Sequence, residues 1–436
     1  YDASGVRAVL DGVCVTPVLT AHPTQATRRT ILAKEQRIAR LLVDRFERPR
    51  RTPMEEEALT GRLRSEVALI WQTEEQVARR PSVADEVEST VFALTDVVYR
   101  VVPAFHDAAR DALRARWGDG ADGGLEGPSL RFGSWVGGDM DGNPYVGADT
   151  IRVTLARHRE LIVGRYQEEV RRLFDHLSQS LSRVSVGAEV IRRIDRYVDR
   201  MPELAADVPA RYHDMPYRRL LWLVWARLGA ILGDGEHPYG SAAELLDDLD
   251  LVASSLAEHR GRSAGLVRVR RLVERVRTFG FHLATLDLRQ DALVHRRACA
   301  LLLDDPGFAG RTGEERADRL ARMIERFPEA PGDDGDLDAT LDVFRAVGEC
   351  RRRYGGEAIG PYIISMAQGP DDVLAVLLLA RAAGLIEDGA VPLDVAPLLE
   401  TVDDLERAGA TLRGMLADPV YRRHLTTRGD DQVVML

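Results

Sequence analysis

The sequence predicts a predominantly α-helical α/β protein: an incomplete (β/α)8 TIM-type barrel, with about six of eight strands and long helical insertions. Three observations carry that expectation. Most of the chain places apolar residues three and four apart, with charge between them. Against this background stand short apolar, often β-branched runs: "VCVTPVLTA", "RFGSWVG", "GFHLATLDLR", "GPYIISMAQ", "PLDVAPLLET" and "QVVML". Most of these runs are followed by polar residues and a helical pattern, and strands separated by helices return parallel because a parallel return needs a crossover. In such barrels reactive residues gather where strands end, which singles out His22, Asp139, Arg289 and Glu400.

In chain order, helices are expected over "RRTILAKEQRIARLLVDRF", "EEEALTGRLRSEVALIWQTEEQVARR" and "VADEVESTVFALTDVVYRVVPAFHDAARDALRARW". Helical pattern continues from Thr150 to His259, broken at "RMPELAADVPARYHDMPY" and "GDGEHPYGS". Later helices fall over 264–277, 291–304, 313–326, 336–353, 371–384 and 401–415. "DDPGFAGRTGEE" and "PEAPGDDGDLD" read as polar loops, and no fixed-period repeat is present. Residues 1–436 are expected to form a single barrel-type domain, truncated at both ends, because the chain begins at Tyr1 rather than a methionine and "DDQVVML" resembles a core strand with no turn after it.

The net charge of −10 argues against a general nucleic-acid or anionic-membrane partner. Lys34 is the only lysine, so no catalytic lysine is nominated. Cys14, Cys299 and Cys350 lie far apart without metal-binding spacing and are expected to be buried thiols in a reducing, cytoplasmic setting. "DVLAVLLLARAAGLI" is cut by Arg381 and reads as a buried helix, short of the roughly 20 residues a membrane span needs.

His22 lies in "TAHPT", where a strand gives way to a helix; it could exchange protons near neutral pH or simply bond a neighbouring carbonyl. Arg28 and Arg29, in the first turns of that helix, suit bidentate phosphate binding, but a solvated pair bonded to acidic neighbours is the simpler reading. "FGSWVGGDMDGNPYVG" contributes Trp135, Gly137, Gly138, Asp139, Asp141 and Asn143. Its acidic residues fail EF-hand spacing, because Pro144 and Thr150 stand where glycine and glutamate are needed. The stretch can be a turn, or its glycines can let backbone approach a ligand.

Arg289 ends a strand, where its fork of donors suits phosphate or carboxylate; the alternative is an ion pair with Asp287 or Asp291. His282 alternates with apolar residues and reads as a core histidine, and "LVRVRRLVERVR" as a solvated helix face. Glu400 follows an apolar strand, where a carboxylate could ligate Mg2+, while Thr401 and Asp404 form a cap-like pair.

In this order, "VLTAHPTQATRRT", "IWQTEEQVARRPSVADEV", "FGSWVGGDMDGNP", "FGFHLATLDLRQD", "YIISMAQGPDDVLAVLLL" and "VAPLLETVDDL" closely resemble the phosphoenolpyruvate carboxylase family over nearly the whole chain. The resemblance implies carboxylation of phosphoenolpyruvate by bicarbonate, through carboxyphosphate and the pyruvate enolate, to oxaloacetate that feeds the tricarboxylic acid cycle. It implies that His22 handles the carboxyphosphate proton, that Arg289 holds substrate and that Glu400 ligates Mg2+, for which Mn2+ can substitute. Arg28 and Arg29 would belong to a sugar-phosphate effector site in an allosteric homotetramer.

Met140 stands where most members of the family carry arginine. By the same comparison, an N-terminal segment of about a hundred residues is missing. A second metal aspartate, a functional lysine, an arginine-rich glycine loop and an inhibitor site would lie beyond Leu436. The 436 residues alone are therefore expected to be inactive. Two other readings are a non-catalytic helical scaffold or subunit partner, and a phosphotransferase forming phosphohistidine.

Overall fold

The computed structural model describes residues 3–20, 28–48, 50–74, 82–118, 129–233, 235–326 and 335–436. Strands β1 (Val18–Leu19), β2 (Gly133–Ser134), β3 (Thr285–Asp291), β4 (Ile359–Ser365) and β5 (Val395–Pro397) form one parallel sheet in sequential order. The remainder is mainly helical. Each strand therefore neighbours the next in sequence, as helical crossovers between parallel strands permit.

The sixth expected strand is not formed. "QVVML" makes a single parallel bridge, Leu398 to Met435, in which Met435 N–H donates to Pro397 O at 3.1 Å. Side chains occupy the neighbouring β5 carbonyl: Gln432 Nε2 donates to Val395 O at 2.9 Å and the Tyr421 hydroxyl does so at 3.3 Å. The next ladder bonds would need Val395 O, which these side chains occupy, and the N–H of Pro397, which proline lacks, so main-chain pairing stops there. Among the described residues the sheet is open, with β1 at one edge and β5, with its bridge, at the other.

Expected helices recur with shifted ends. The helical hairpin Arg29–Glu47 and Pro53–Trp71 is joined across Lys34, whose ammonium lies 4.0 Å from Glu66. The long pattern from Val83 to Trp117 is continuous but holds a π-helical turn at Ala93–Val98. Pro103 lies inside it and has no N–H for the carbonyl of Tyr99, four residues earlier. Arg275 Nε donates to that carbonyl instead, at 3.0 Å. The helices Ala3–Asp11 and Pro419–Thr427 were not expected from the pattern.

Two apolar clusters form the core. One packs Leu286 and Leu288 of β3, Tyr362 and Ile364 of β4 and Val395 of β5 against the later helices, including Pro370–Ala382, which is buried as expected. The other joins the earlier helices around Ile162, Tyr166, Leu220 and Phe279. Helix Ala148–His176 links them, giving Ile151 and Leu155 to the first and Ile162 and Val163 to the second. Cys299 and Cys350 are buried as expected, but Cys14 is exposed, on the stretch leading into the sheet's edge strand. Among the described residues, no helix is long and apolar enough to cross a membrane.

Candidate active site

Strand alternation sorts the side chains of β3 between two environments. Leu286 and Leu288 turn toward the helices, so Asp287 and Arg289 take the opposite face. Ile363 and Ala396 form a small cluster with Leu398 on that second face, against which Trp135 and Met435 pack. The second face thus combines a thin apolar floor with charge.

After β2 the chain turns tightly through Trp135–Asp139. Gly137 has φ +92°, and a Cβ there would lie 2.2 Å from Thr154 Oγ1. A Cβ on Gly138 would lie 2.2 Å from the carbonyl of Asp287. These glycines therefore bring the loop against its own protein, on β3 and on helix Ala148–His176, rather than against a ligand. Backbone bonds fix the contact: Arg289 N–H donates to Gly138 O at 3.1 Å, and Met140 N–H to Arg289 O at 2.8 Å.

That contact sets Asp139 beside Arg289. Arg289 Nε donates to Asp139 Oδ1 at 2.8 Å and Nη2 to Oδ2 at 2.9 Å, while Asp141 Oδ2 lies 3.8 Å from Nη2. The guanidinium carbon sits 4.7 Å from the Trp135 ring centroid. Burial would lower the Arg289 pKa, but Asp139, Asp141 and Glu400 outweigh it and hold the group above its ordinary value. The expected alternative partners are engaged elsewhere. Asp291 caps the next helix by accepting from Leu293 N–H at 2.6 Å, and Asp287 accepts from Trp135 Nε1 at 3.2 Å.

Asp141 and Asn143 complete the loop. Asp141 N–H donates to Asp139 Oδ1 at 3.3 Å, and Asn143 Oδ1 accepts from Tyr145 N–H at 3.1 Å. Met140 is buried in the first core cluster with Ile151 and Leu155, so its side chain serves packing here.

Glu400 is exposed beyond the carboxyl end of β5, and its charge reaches Arg289. Thr401 caps the following helix with Asp404 as expected, each bonding the other's backbone at 3.1 Å. Among the described residues no group of three or more His, Cys, Asp or Glu side chains is arranged to hold a metal. Glu400 offers a hard carboxylate oxygen, the donor type of which Mg2+ takes one or two beside its waters.

His22 lies outside the described residues, as does Thr24. Arg28 is not within the helix but occupies the position just before it, without a side-chain bond to the helix start, and its Nη2 bonds Glu74 Oε2 at 3.2 Å. Arg29 opens the helix, and its side chain lies outside the described part.

Sequence reasoning passed over two features. Asp287, weighed only as a partner for Arg289, is 5 % exposed, and burial pushes its carboxyl up to about 7. Its spacing of two from Arg289 was the available signal. Asp371 and Asp372 look like ordinary first-turn acids but are buried. Arg296 binds Asp372 through two 3.0 Å bonds, and Arg316 Nε binds Asp371 at 2.7 Å.

Fold and site define a mainly helical α/β protein in which a parallel sheet presents charged side chains near its carboxyl ends. The sequence profile described as phosphoenolpyruvate carboxylase matches residues 1–436, and the chain belongs to that family. The chain is 46% identical over 433 residues to a phosphoenolpyruvate carboxylase of Xanthomonas euvesicatoria pv. vesicatoria, covering 98% of this chain and 47% of that relative. It is 35% identical over 461 residues to that of Mycolicibacterium paratuberculosis, covering 100% of this chain and 48% of the relative. For the Azoarcus sp. enzyme the figures are 35% over 463 residues, with 100% and 49% covered. The chain thus spans about half the length of the curated relatives it matches.

Proposed function

We propose that this chain supplies part of an enzyme that carboxylates phosphoenolpyruvate with bicarbonate, giving oxaloacetate and phosphate. The observation that carries the reading is Arg289, held rigidly near the carboxyl end of a parallel strand in a chain of this family. A guanidinium supported on one face by Trp135 and gripped along one edge by Asp139 keeps its remaining donors in a fixed direction. Fixed donors are what a phosphate needs as negative charge develops on it.

In this reading bicarbonate attacks the phosphorus atom, the bond from phosphorus to the enol oxygen breaks, and carboxyphosphate and the pyruvate enolate result. His22 takes the carboxyphosphate proton as the bond from its carbon to the phosphate oxygen breaks, releasing CO2 and inorganic phosphate, and the enolate carbon attacks CO2 to give oxaloacetate. Glu400 would hold Mg2+ or Mn2+, which when bound supplies positive charge to the enolate oxygen. Arg28 and Arg29 would form an effector anion site, for which Arg28 would have to exchange Glu74 for the ligand.

The sequential parallel order, with helices covering the face of Leu286 and Leu288, supports placing these strands in a (β/α)8 barrel wall. The helix shared by both clusters supports a single domain. The assembly would be a cytoplasmic homotetramer. The test is the complete polypeptide containing this chain, assayed with phosphoenolpyruvate, labelled bicarbonate and Mg2+. Label should enter oxaloacetate, and Arg289→Ala should abolish its entry. Full labelling by that variant would sink the assignment.

A further inference from the structure

Beneath Arg289 lies a group to which neither the fold nor the proposed chemistry gives a task. Asp287 is buried on the same face of β3, two residues earlier. Its Oδ2 accepts from the indole N–H of Trp135 at 3.2 Å, and the Trp135 ring lies under the Arg289 guanidinium at 4.7 Å. Three side chains thus stack in series, carboxylate to indole to guanidinium, with the carboxylate deepest.

The neighbouring strand leaves room for that carboxylate. The β3–β4 register shifts between Leu286 and Leu288, opposite Gly360 and Pro361. Proline cannot donate to a ladder and is tolerated in strands at such irregularities. A Cβ on Gly360 would lie 2.0 Å from Asp287 Oδ1. A glycine at a bulge, where a buried acid projects, is local structure shaped around one carboxyl group.

We propose that Asp287 is a positioning residue: it fixes the indole of Trp135, and through it the plane of the Arg289 guanidinium that receives the anionic substrate. The substrate half of this statement rests on the function proposed above. Burying a carboxyl group is costly unless it is bonded. Among the described residues its side-chain hydrogen bond is to the indole N–H, so the contact that offsets its burial is also the one that orients the ring.

A double-mutant cycle tests this in the complete enzyme, with Asp287→Ala, Trp135→Phe and the pair. Trp135→Phe keeps a ring under Arg289 but removes the N–H. Each single change should raise the KM for phosphoenolpyruvate about tenfold, with a smaller change in kcat, and the pair should do no more than either alone. Asp287→Asn keeps an acceptor oxygen and should restore most of the wild-type KM. Multiplying effects in the pair, or an unchanged KM in Asp287→Ala, would overturn the proposal.

A readout independent of turnover uses protein labelled with fluorotryptophan, the Trp135 resonance being identified by its loss in Trp135→Phe. Asp287→Ala should move that resonance and Asp287→Asn should leave it nearly in place. Equal shifts in both would overturn the indole contact. Should Asp287→Ala fail to fold, Trp135→Phe still carries the KM measurement, where an unchanged KM would overturn the proposal, and Asp287→Asn carries the resonance, where a large shift would. If the wild type fixes no bicarbonate, the proposed function fails, while the fluorine result still decides whether Asp287 positions Trp135.

Discussion

Asp139 grips Arg289 through two parallel bonds of 2.8 and 2.9 Å, although 150 residues separate them in the chain. The carboxylate occupies the Nε edge of the guanidinium and so leaves donors on the other side. Asp139→Asn keeps the shape but loses the charge and one acceptor. A charge-assisted bidentate pair of this kind contributes about 1.5–3 kcal/mol. We expect the variant to unfold at lower urea concentration and the complete enzyme to lose about 100-fold in kcat/KM, the cost of a ~1 Å misplacement. Wild-type values on both measurements would show that Arg289 is positioned by other contacts.

Gly138 should not accept a side chain. The added Cβ would meet the backbone carbonyl of Asp287 at 2.2 Å, and a backbone atom cannot swing aside as a flexible side chain can. Gly138→Ala is expected to cost at least about 1–3 kcal/mol of stability. It should also separate Asp139 from Arg289. Differential scanning calorimetry checks the first effect, and an unshifted melting temperature would contradict the close approach.

Which parts were legible in the sequence follows from the range over which each is determined. Helix positions and the Thr401–Asp404 cap depend on residues three and four apart, and they were readable. Arg289 was readable as a strand-end cation, but its partner was sought at Asp287 and Asp291 because those are near in sequence. The true partner, Asp139, is delivered by a glycine turn docking on β3, a tertiary event that no local pattern encodes. The failed sixth strand has the same origin. "QVVML" has strand composition, but Gln432 and Tyr421 compete for the β5 carbonyl of Val395. The buried Arg296–Asp372 and Arg316–Asp371 pairs were invisible because each half resembles an ordinary helix-surface charge.

Asp287 makes stability depend on pH in a stated direction. Its folded carboxyl titrates at about 7 against 3.8 for the ordinary value, because burial opposes the charged form and only the Trp135 bond favours it. Between those two pH values the folded protein holds a proton that the unfolded chain has released. This contribution to unfolding free energy therefore falls as pH rises through the window and levels off above about 7. Asp287→Asn carries no charge to bury, so its stability relative to wild type should rise from pH 4 to pH 8 by on the order of a few kcal/mol. Denaturant titrations at both pH values check this, and a pH-independent difference would show that the carboxyl is not buried as described.

His22→Asn tests the proton-transfer role in the complete enzyme. The variant should fold normally and lose oxaloacetate formation by about 10²–10⁴-fold, the usual contribution of a general acid–base group. Phosphate release from phosphoenolpyruvate should persist, because in the proposed sequence His22 acts after carboxyphosphate has formed. A coupled malate dehydrogenase assay and a phosphate assay on the same sample separate the two events. Parallel loss of both would place the histidine before the first bond-making step.

Glu400→Gln addresses the cation directly. The carboxylate is exposed at the end of β5, and Arg289 feels its charge, so removing that charge has two separable consequences. The first concerns the metal: a neutral amide is a weaker ligand for a hard cation that prefers carboxylate and water oxygens. The Mg2+ concentration for half-maximal activity of the complete enzyme should rise at least about tenfold. The second concerns Arg289, which loses one of the negative charges holding its pKa up but keeps Asp139 and Asp141. Phosphoenolpyruvate affinity measured at saturating Mg2+ should therefore change far less than the Mg2+ requirement. An unaltered Mg2+ requirement combined with weaker phosphoenolpyruvate binding would reassign Glu400 from the metal to the electrostatics of Arg289.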